Sequence, residues 1–281
     1  MKKNLLFLAA CSLFLTCHQK QELEIPDEPE EPLEYPYIIP CGCVDEWFQE
    51  ETDCDRELPW DYPIKPNTEE WAQLQTHDEV LAICQIPDDV LSLLSTEDLT
   101  VICLKFPGLG AELCTPFDRG LDSLTKNFNG VRELLQREDA SKGLLKWYRC
   151  AIPNFSYIQD SDLPNVEKGF FAWYIIATEL LLSRCQSPDE TGYIEIVQHL
   201  VCGSNKLFSH PEYSTYSYMA NCFARFKIMY KTDESIIEEI PYGFDNHFFT
   251  MGSYYGDWED TRPSFEQAMI AINSLSCHFI N

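Results

Sequence analysis

Few residues in this chain are placed to do chemistry. Glu179 stands inside the run FFAWYIIATELLLSR, where nearly every neighbour is apolar. A carboxylate taken out of water is costly unless paired or protonated, and a raised pKa would suit a general acid. The plainer reading is a carboxylate at the helix edge, paired with an arginine such as Arg225 from a packed neighbour. A second set lies in 242–258, YGFDNHFFTMGSYYGDW, where Tyr242, Phe244, Phe248, Phe249, Tyr254, Tyr255 and Trp258 are interleaved with Asp245, His247 and Asp257. Aromatic faces stack on sugars, carboxylates bond hydroxyls and aromatic side chains anchor protein interfaces, so this is the candidate binding loop. The alternative is a loop whose aromatics pack back over the helices. His247 beside Asp245 would be its acid–base or ligand residue.

The third set is Cys41, Cys43 and Cys54. A structural zinc site wants four ligands, usually in C-x₂₋₄-C pairs. A C-x-C with one distant cysteine and no nearby histidine is a poor match, and a disulfide of Cys54 with Cys41 or Cys43 is the expectation. The surrounding Asp45, Glu46, Glu50, Glu51, Asp53 and Asp55 lack the order of a calcium loop. No metal and no cofactor is expected. The histidines His18, His77, His199, His210, His247 and His278 form no zinc-protease spacing, and His199 reads as a core or boundary residue of its helix. No G-x-S-x-G, P-loop, dinucleotide or kinase signature is present.

Of thirteen cysteines, Cys11 and Cys17 belong to the N-terminal export sequence and its end, leaving eleven. An odd number leaves at least one thiol free or paired between chains. Several lie in apolar helical contexts, Cys103 in TVICLKF and Cys222 in MANCFARF. There a small buried thiol is as natural as a cross-link.

The chain opens MKKNLLFLAACSLFLTC, a positive start followed by an apolar stretch of export-signal type. Its end at a cysteine resembles the lipobox of bacterial lipoproteins, which implies a lipid on Cys17, with Cys11 as the alternative. A cleaved secretory peptide without lipid is the other possibility. Residues 17–60 are rich in proline and acidic residues, giving a stiff, self-repelling tether. An acidic run after a lipidated cysteine also resembles the surface-export signal of Bacteroidetes lipoproteins. The expected location is the cell envelope, lipid-anchored in the outer membrane, with surface exposure left open. A net charge of -26 argues against nucleic acid and against electrostatic docking on anionic lipid. The expected partners are the membrane, through the lipid, and a protein or glycan.

Positioning falls to helices. Asn67 with Glu70 reads as a capping box for a helix through Trp71 and Leu74, and a second helical stretch runs over 79–84. Pro87 with Asp88 and Asp89, then Ser95 or Thr96, open two more helices. Helical spacing recurs over 117–128, breaks at Asn129-Gly130, and resumes over 131–136 and 143–150, before a loop at 153–164. Residues 166–184 form the central helix. They are apolar on nearly every face, yet only fifteen residues separate Lys168 from Arg184, short of the roughly 20 needed to span lipid. Ser187-Pro188-Asp189-Glu190 starts a helix expected to stop at Gly203. Another covers 213–230, residues 231–262 are irregular, and Ser264 with Gln267 caps the last. The chain therefore reads as a leader (1–16), a tether (17–60) and an all-α domain (61–281) built as an irregular α-α array, a solenoid-like stack of helix pairs.

The segments KPNTEEW (65–71), QIPDDVLSLLSTEDLTVICL (85–104) and FNGVRELLQREDA (128–140), with Leu144 and Tyr148, resemble a group of uncharacterised exported lipoproteins of Bacteroidetes-type bacteria. The resemblance covers about 60–150. It implies export and a helical N-terminal half, and brings no activity, substrate or site residues. The richness in cysteine departs from that group. The function expected is a non-enzymatic binding or interaction module. The alternatives are an envelope hydrolase using Glu179, Asp245 or Asp257, and a structural subunit of an envelope complex.

Overall fold

The computed structural model describes residues 41, 43, 48, 57–113, 117–160, 165–186, 190–208, 210, 215–240 and 258–281. Among them there is no strand, and no helix is long and apolar enough to cross a membrane. The all-α class is as the sequence indicated.

The first helices are short and locally specified. Helix α1 (His77–Cys84) starts at Thr76, whose hydroxyl accepts the Glu79 amide while the Glu79 carboxylate accepts the Thr76 amide. This reciprocal box, and not Asn67, is the first capping motif. Asn67 instead adopts a positive φ of 68°, and Thr68 accepts the Trp71 amide at the head of a single 3₁₀ turn. Helix α2 (Asp88–Leu91) follows Pro87, and α3 (Thr96–Leu104) is capped by Ser95, which accepts the Asp98 amide. Helix α4 (Leu109–Leu113) leads to α5 (Phe117–Asn127) and α6 (Asn129–Gln136).

The corner between α5 and α6 is fixed by two amides. Asn129 accepts the Ile86 amide and donates to the Ile86 carbonyl, at 3.0 and 2.7 Å. Gln85 accepts the Asn129 amide and donates to the Asn127 carbonyl, at 3.0 and 2.9 Å. Gly130 fits because a Cβ there would lie 2.6 Å from the Phe128 ring. Arg137 then reaches back to the Leu91 and Leu94 carbonyls, taking up acceptors that the end of α2 leaves open.

The later helices are long: α7 (Ala140–Asp160), α8 (Asn165–Leu182), α9 (Glu190–Leu207), α10 (Thr215–Thr232) and α11 (Trp258–Ile280). A 3₁₀ segment, Glu234–Glu239, lies against α10. Three sequence expectations are corrected here. Helix α7 passes through Pro153, so 153–160 is helix and not loop. Proline removes one helical hydrogen bond and crowds a carbonyl, but Ile152 and Phe155 on either side are buried, and Asn154 donates to the Cys150 carbonyl at 2.8 Å. Helix α9 continues past Gly203, and α11 starts at Trp258, six residues before the expected cap at Ser264.

Helices α4, α5, α6 and α7 pack on sequence neighbours, as a stack of pairs would. Beyond α7 the packing closes, which a linear stack does not do. Helix α7 meets α8, α8 meets α10, α10 meets α9, and α9 returns to α7. Helix α11 lies across α9 and α10, while α3 covers α7 and α8. One continuous apolar core results, and α8 and α10 run through it.

Part of the segment read as a tether belongs to this core. Cys41 is disulfide-bonded to Cys277 on α11, and Cys43 to Cys202 on α9. Cys41 and Phe48 are buried. The expected pairing of Cys54 with Cys41 or Cys43 is thereby overturned, since both sulfurs are engaged with helices far along the chain.

Candidate functional site

Glu179 lies in the last turn of α8 and is fully buried, not at the solvent edge of its helix. Its Oε1 accepts from the Tyr148 hydroxyl of α7 at 2.7 Å and from Asn221 Nδ2 of α10 at 2.8 Å. Asn221 also donates to the Leu200 carbonyl at 3.1 Å, and its Oδ1 accepts from Arg225 Nε at 2.9 Å. The amide thus presents its donor to the carboxylate and its acceptor to the guanidinium. Asn221 and Arg225 are four residues apart, so they share one face of α10.

Arg225 is also fully buried. Nη1 donates to Ser276 Oγ and Nη2 to Asn273 Oδ1, each at 3.0 Å, and Nη2 also meets Cys222 Sγ. Asn273 in turn pairs with the Tyr218 hydroxyl. Four helices therefore contribute to one polar chain, Tyr148–Glu179–Asn221–Arg225–Asn273/Ser276. Within it a carboxylate and a guanidinium are linked by a neutral amide. Burying ions costs several kcal/mol apiece unless hydrogen bonds and an opposite charge compensate. Here both kinds of compensation are supplied. These hydrogen bonds hold α7, α8 and α10 in one register.

Tyr148 reaches Glu179 across a notch. A Cβ on Gly203 would lie 2.2 Å from the Tyr148 hydroxyl oxygen, so α9 carries glycine where the ring crosses its backbone. This close approach explains why the expected helix stop is a helix interior.

His199, one turn earlier on α9, is buried. Its Nε2 accepts from Arg149 Nε at 2.8 Å, which leaves Nδ1 to donate to the Glu195 carbonyl at 2.7 Å. Arg149 also donates to the Glu195 carboxylate at 2.7 Å. Burial, with the Arg149 charge, pulls the imidazole pKa below its usual 6.5, against the opposing pull of the Glu195 carbonyl. The ring is a neutral, oriented core residue, as its place on the helix implied.

The thiols Cys84, Cys103, Cys185 and Cys222 are free and buried. Burial pushes Cys84 and Cys185 up to about 12, and raises Cys103 and Cys222 as well. A thiol needs its thiolate form to act as a nucleophile, and these stay protonated. Among the described residues no group of three potential metal ligands gathers.

Of the candidate loop 242–258, residues Tyr242, Phe244, Asp245, His247, Tyr254, Tyr255 and Asp257 lie outside the described residues, as do Cys11 and Cys17. Trp258 is the first residue of α11 and not part of a loop. Sequence reasoning singled out Glu179 and Arg225 and missed the residues between and beside them: Tyr148, Asn221, Asn273 and Ser276. The available signal was Asn221 and Arg225, two polar side chains at helical spacing in MANCFARF. Compared with known protein families, curated proteins and solved structures, the chain matches none.

Proposed function

We propose that this protein is a lipid-anchored envelope protein that acts as a non-enzymatic binding or interaction module. Its anchor is Cys17, with Cys11 as the alternative, and its location is the outer membrane. The observation that carries the non-enzymatic reading is where the reactive groups lie. The Glu179 carboxylate, the His199 imidazole and four thiols are all buried, and the first two are held by hydrogen bonds that order the bundle. Export is supported separately. Two disulfides join positions 236 and 159 residues apart, and such cross-links persist in oxidising compartments. The resemblance of residues 60–150 to exported Bacteroidetes lipoproteins points the same way.

Two experiments test this. Cells fed a labelled fatty acid should yield a labelled, membrane-bound protein, with the label lost in Cys17→Ala and kept in Cys11→Ala. The reverse pattern moves the anchor to Cys11, and no label in the wild type removes the anchor altogether. A thermal-shift panel of glycans, envelope peptides and envelope extracts should then reveal a ligand, since one present at about 100 times its Kd stabilises by roughly 2.7 kcal/mol. Hydrolytic activity on such a panel that disappears in a folded Glu179→Gln variant would overturn the non-enzymatic reading.

A further inference from the structure

Where the chain leaves α8, three cations gather that the core does not require. Arg184, just past the end of α8, donates through Nη2 to the Asp118 carbonyl at 3.2 Å and to the Asp118 and Asp122 carboxylates, each at 2.9 Å. Asp118 and Asp122 are four residues apart on one face of α5. Lys227 Nζ meets the other oxygen of the Asp118 carboxylate at 3.2 Å and lies 5.7 Å from the Phe223 ring centroid. One turn further along α10, Lys231 Nζ donates to the Cys185 carbonyl at 2.8 Å and lies 5.6 Å from the Tyr193 ring centroid. One carboxylate thus joins Arg184 to Lys227, and the residue after Arg184 holds Lys231.

This runs against the composition, because the chain has 20 basic and 46 acidic residues. Capping explains one cation, since Lys231 serves the carbonyl that follows α8. It does not explain three. The Asp122 side chain is 70% exposed, so solvent screens its share of the pairing. Asp118 is left as the one partly buried carboxylate among the three cations. Among the described residues no carboxylate pairs with Lys231. Desolvation, with the Arg184 and Lys227 charges, pulls the Lys231 ammonium below its usual 10.5, against an opposing effect of Cys185. Donors are also in surplus. Among the described residues Arg184 bonds through Nη2 alone, its Nε is buried without a partner, and each ammonium uses one of its three N–H groups.

We propose that Arg184, Lys227 and Lys231 form a binding site for a small oxyanion, a phosphate or carboxylate group. A guanidinium and two ammonium groups offer its oxygens charge-assisted hydrogen bonds, the strong kind. The ligand is compact because the net charge of -26 repels an extended polyanion. Charges beyond about 8 Å are largely screened at physiological salt, so a small anion feels mainly the cations beside it. The site uses neither the anchor cysteines nor residues 242–258. It goes beyond the reading of the protein as a binding module, and its failure leaves that reading untouched.

The test is a calorimetric titration of the purified full chain with inorganic phosphate and, separately, with acetate, at an ionic strength fixed by chloride. Saturable binding of at least one of them at millimolar concentration is expected. Tighter binding of phosphate assigns a phosphate ligand, and tighter binding of acetate a carboxylate. Lys227→Gln and Lys231→Gln each remove a charge yet keep a donor for Asp118 or for the Cys185 carbonyl. Each should weaken binding about tenfold, the worth of one charge-assisted hydrogen bond. Lys231→Arg keeps the charge and should keep the binding. Lys146→Gln, on α7, removes a cation paired with Glu97 and should leave the affinity unchanged. Helical circular dichroism identifies folded variants, and Lys227→Gln with Lys231→Arg carries the test if Lys231→Gln does not fold. No saturable binding of either anion overturns the site. So does unchanged affinity in the folded glutamine variants, or an equal loss in Lys146→Gln, which would mean that overall charge alone is being read.

Discussion

Between residues 77 and 136 the helices have four to eleven residues, and named side chains fix their ends and corners: Thr76 with Glu79, Ser95, Asn129 with Gln85, and Arg137. After residue 140 they have 18 to 23 residues and are joined side to side, by the polar chain around Glu179 and by disulfides reaching back to Cys41 and Cys43. Helices shorter than about 12–15 residues are marginal alone, so the first region relies on caps and clasps between nearby residues. In the second, helix length is not limiting. What has to be specified is which helix meets which, and at what register, and buried polar groups and cross-links do that.

The contrast can be broken or sharpened by experiment. Arg225→Ala leaves the Glu179 carboxylate buried without its opposite charge. It should cost about 3–5 kcal/mol in urea unfolding, more than any cap change in the first region. A small loss would mean the polar chain does not specify the bundle. Combining Glu179→Gln with Arg225→Gln should show a coupling of about 1–3 kcal/mol in a double-mutant cycle. Gly203→Ala should destabilise by about 1–3 kcal/mol, because the added methyl meets the Tyr148 ring. Gly169→Ala, on α8, adds a methyl that meets nothing within 4 Å. It should stabilise by roughly 0.5–1 kcal/mol, so Gly203 and Gly169 should respond with opposite signs in one calorimetric experiment. In the first region, Thr76→Ala removes the capping box of α1 and should cost about 1 kcal/mol.

The smallest effect concerns His199. Its folded pKa lies below the usual 6.5, so the unfolded chain binds the proton more readily. The stability this gives is complete above about pH 6.5 and is lost as pH falls from there toward the folded value. Melting temperatures measured from pH 7.5 downward should drop less in His199→Gln than in the wild type. An equal drop would mean that the imidazole does not titrate on unfolding.

Legibility in the sequence follows the same division. Helices α2, α3, α5 and α6 were visible because their signals, Pro87, Ser95 and Asn129-Gly130, lie within a few residues of what they govern. The same habit misread Asn67, where a neighbouring threonine takes the cap, and Pro153 and Gly203, where breakers by propensity are overruled by burial and by a crossing ring. The disulfides could not be read at all, because sulfur pairing is a property of space. Glu179 and Arg225 were legible as oddities, but the amide that links them became meaningful only once α8 and α10 were side by side. Most of the proposed binding loop lies outside the described residues, so aromatic composition remains its sole basis.

The Cys41–Cys277 bond also has a mechanical consequence. Tension applied at Cys41 passes through one covalent bond into the last turn of α11, four residues from Asn281. A pull between Cys41 and Asn281 therefore bypasses the 235 residues between the two sulfurs, which form a loop off the load path. While the bond is intact, such a pull loads sulfur and a single helical turn, and the helical bundle bears almost none of the force.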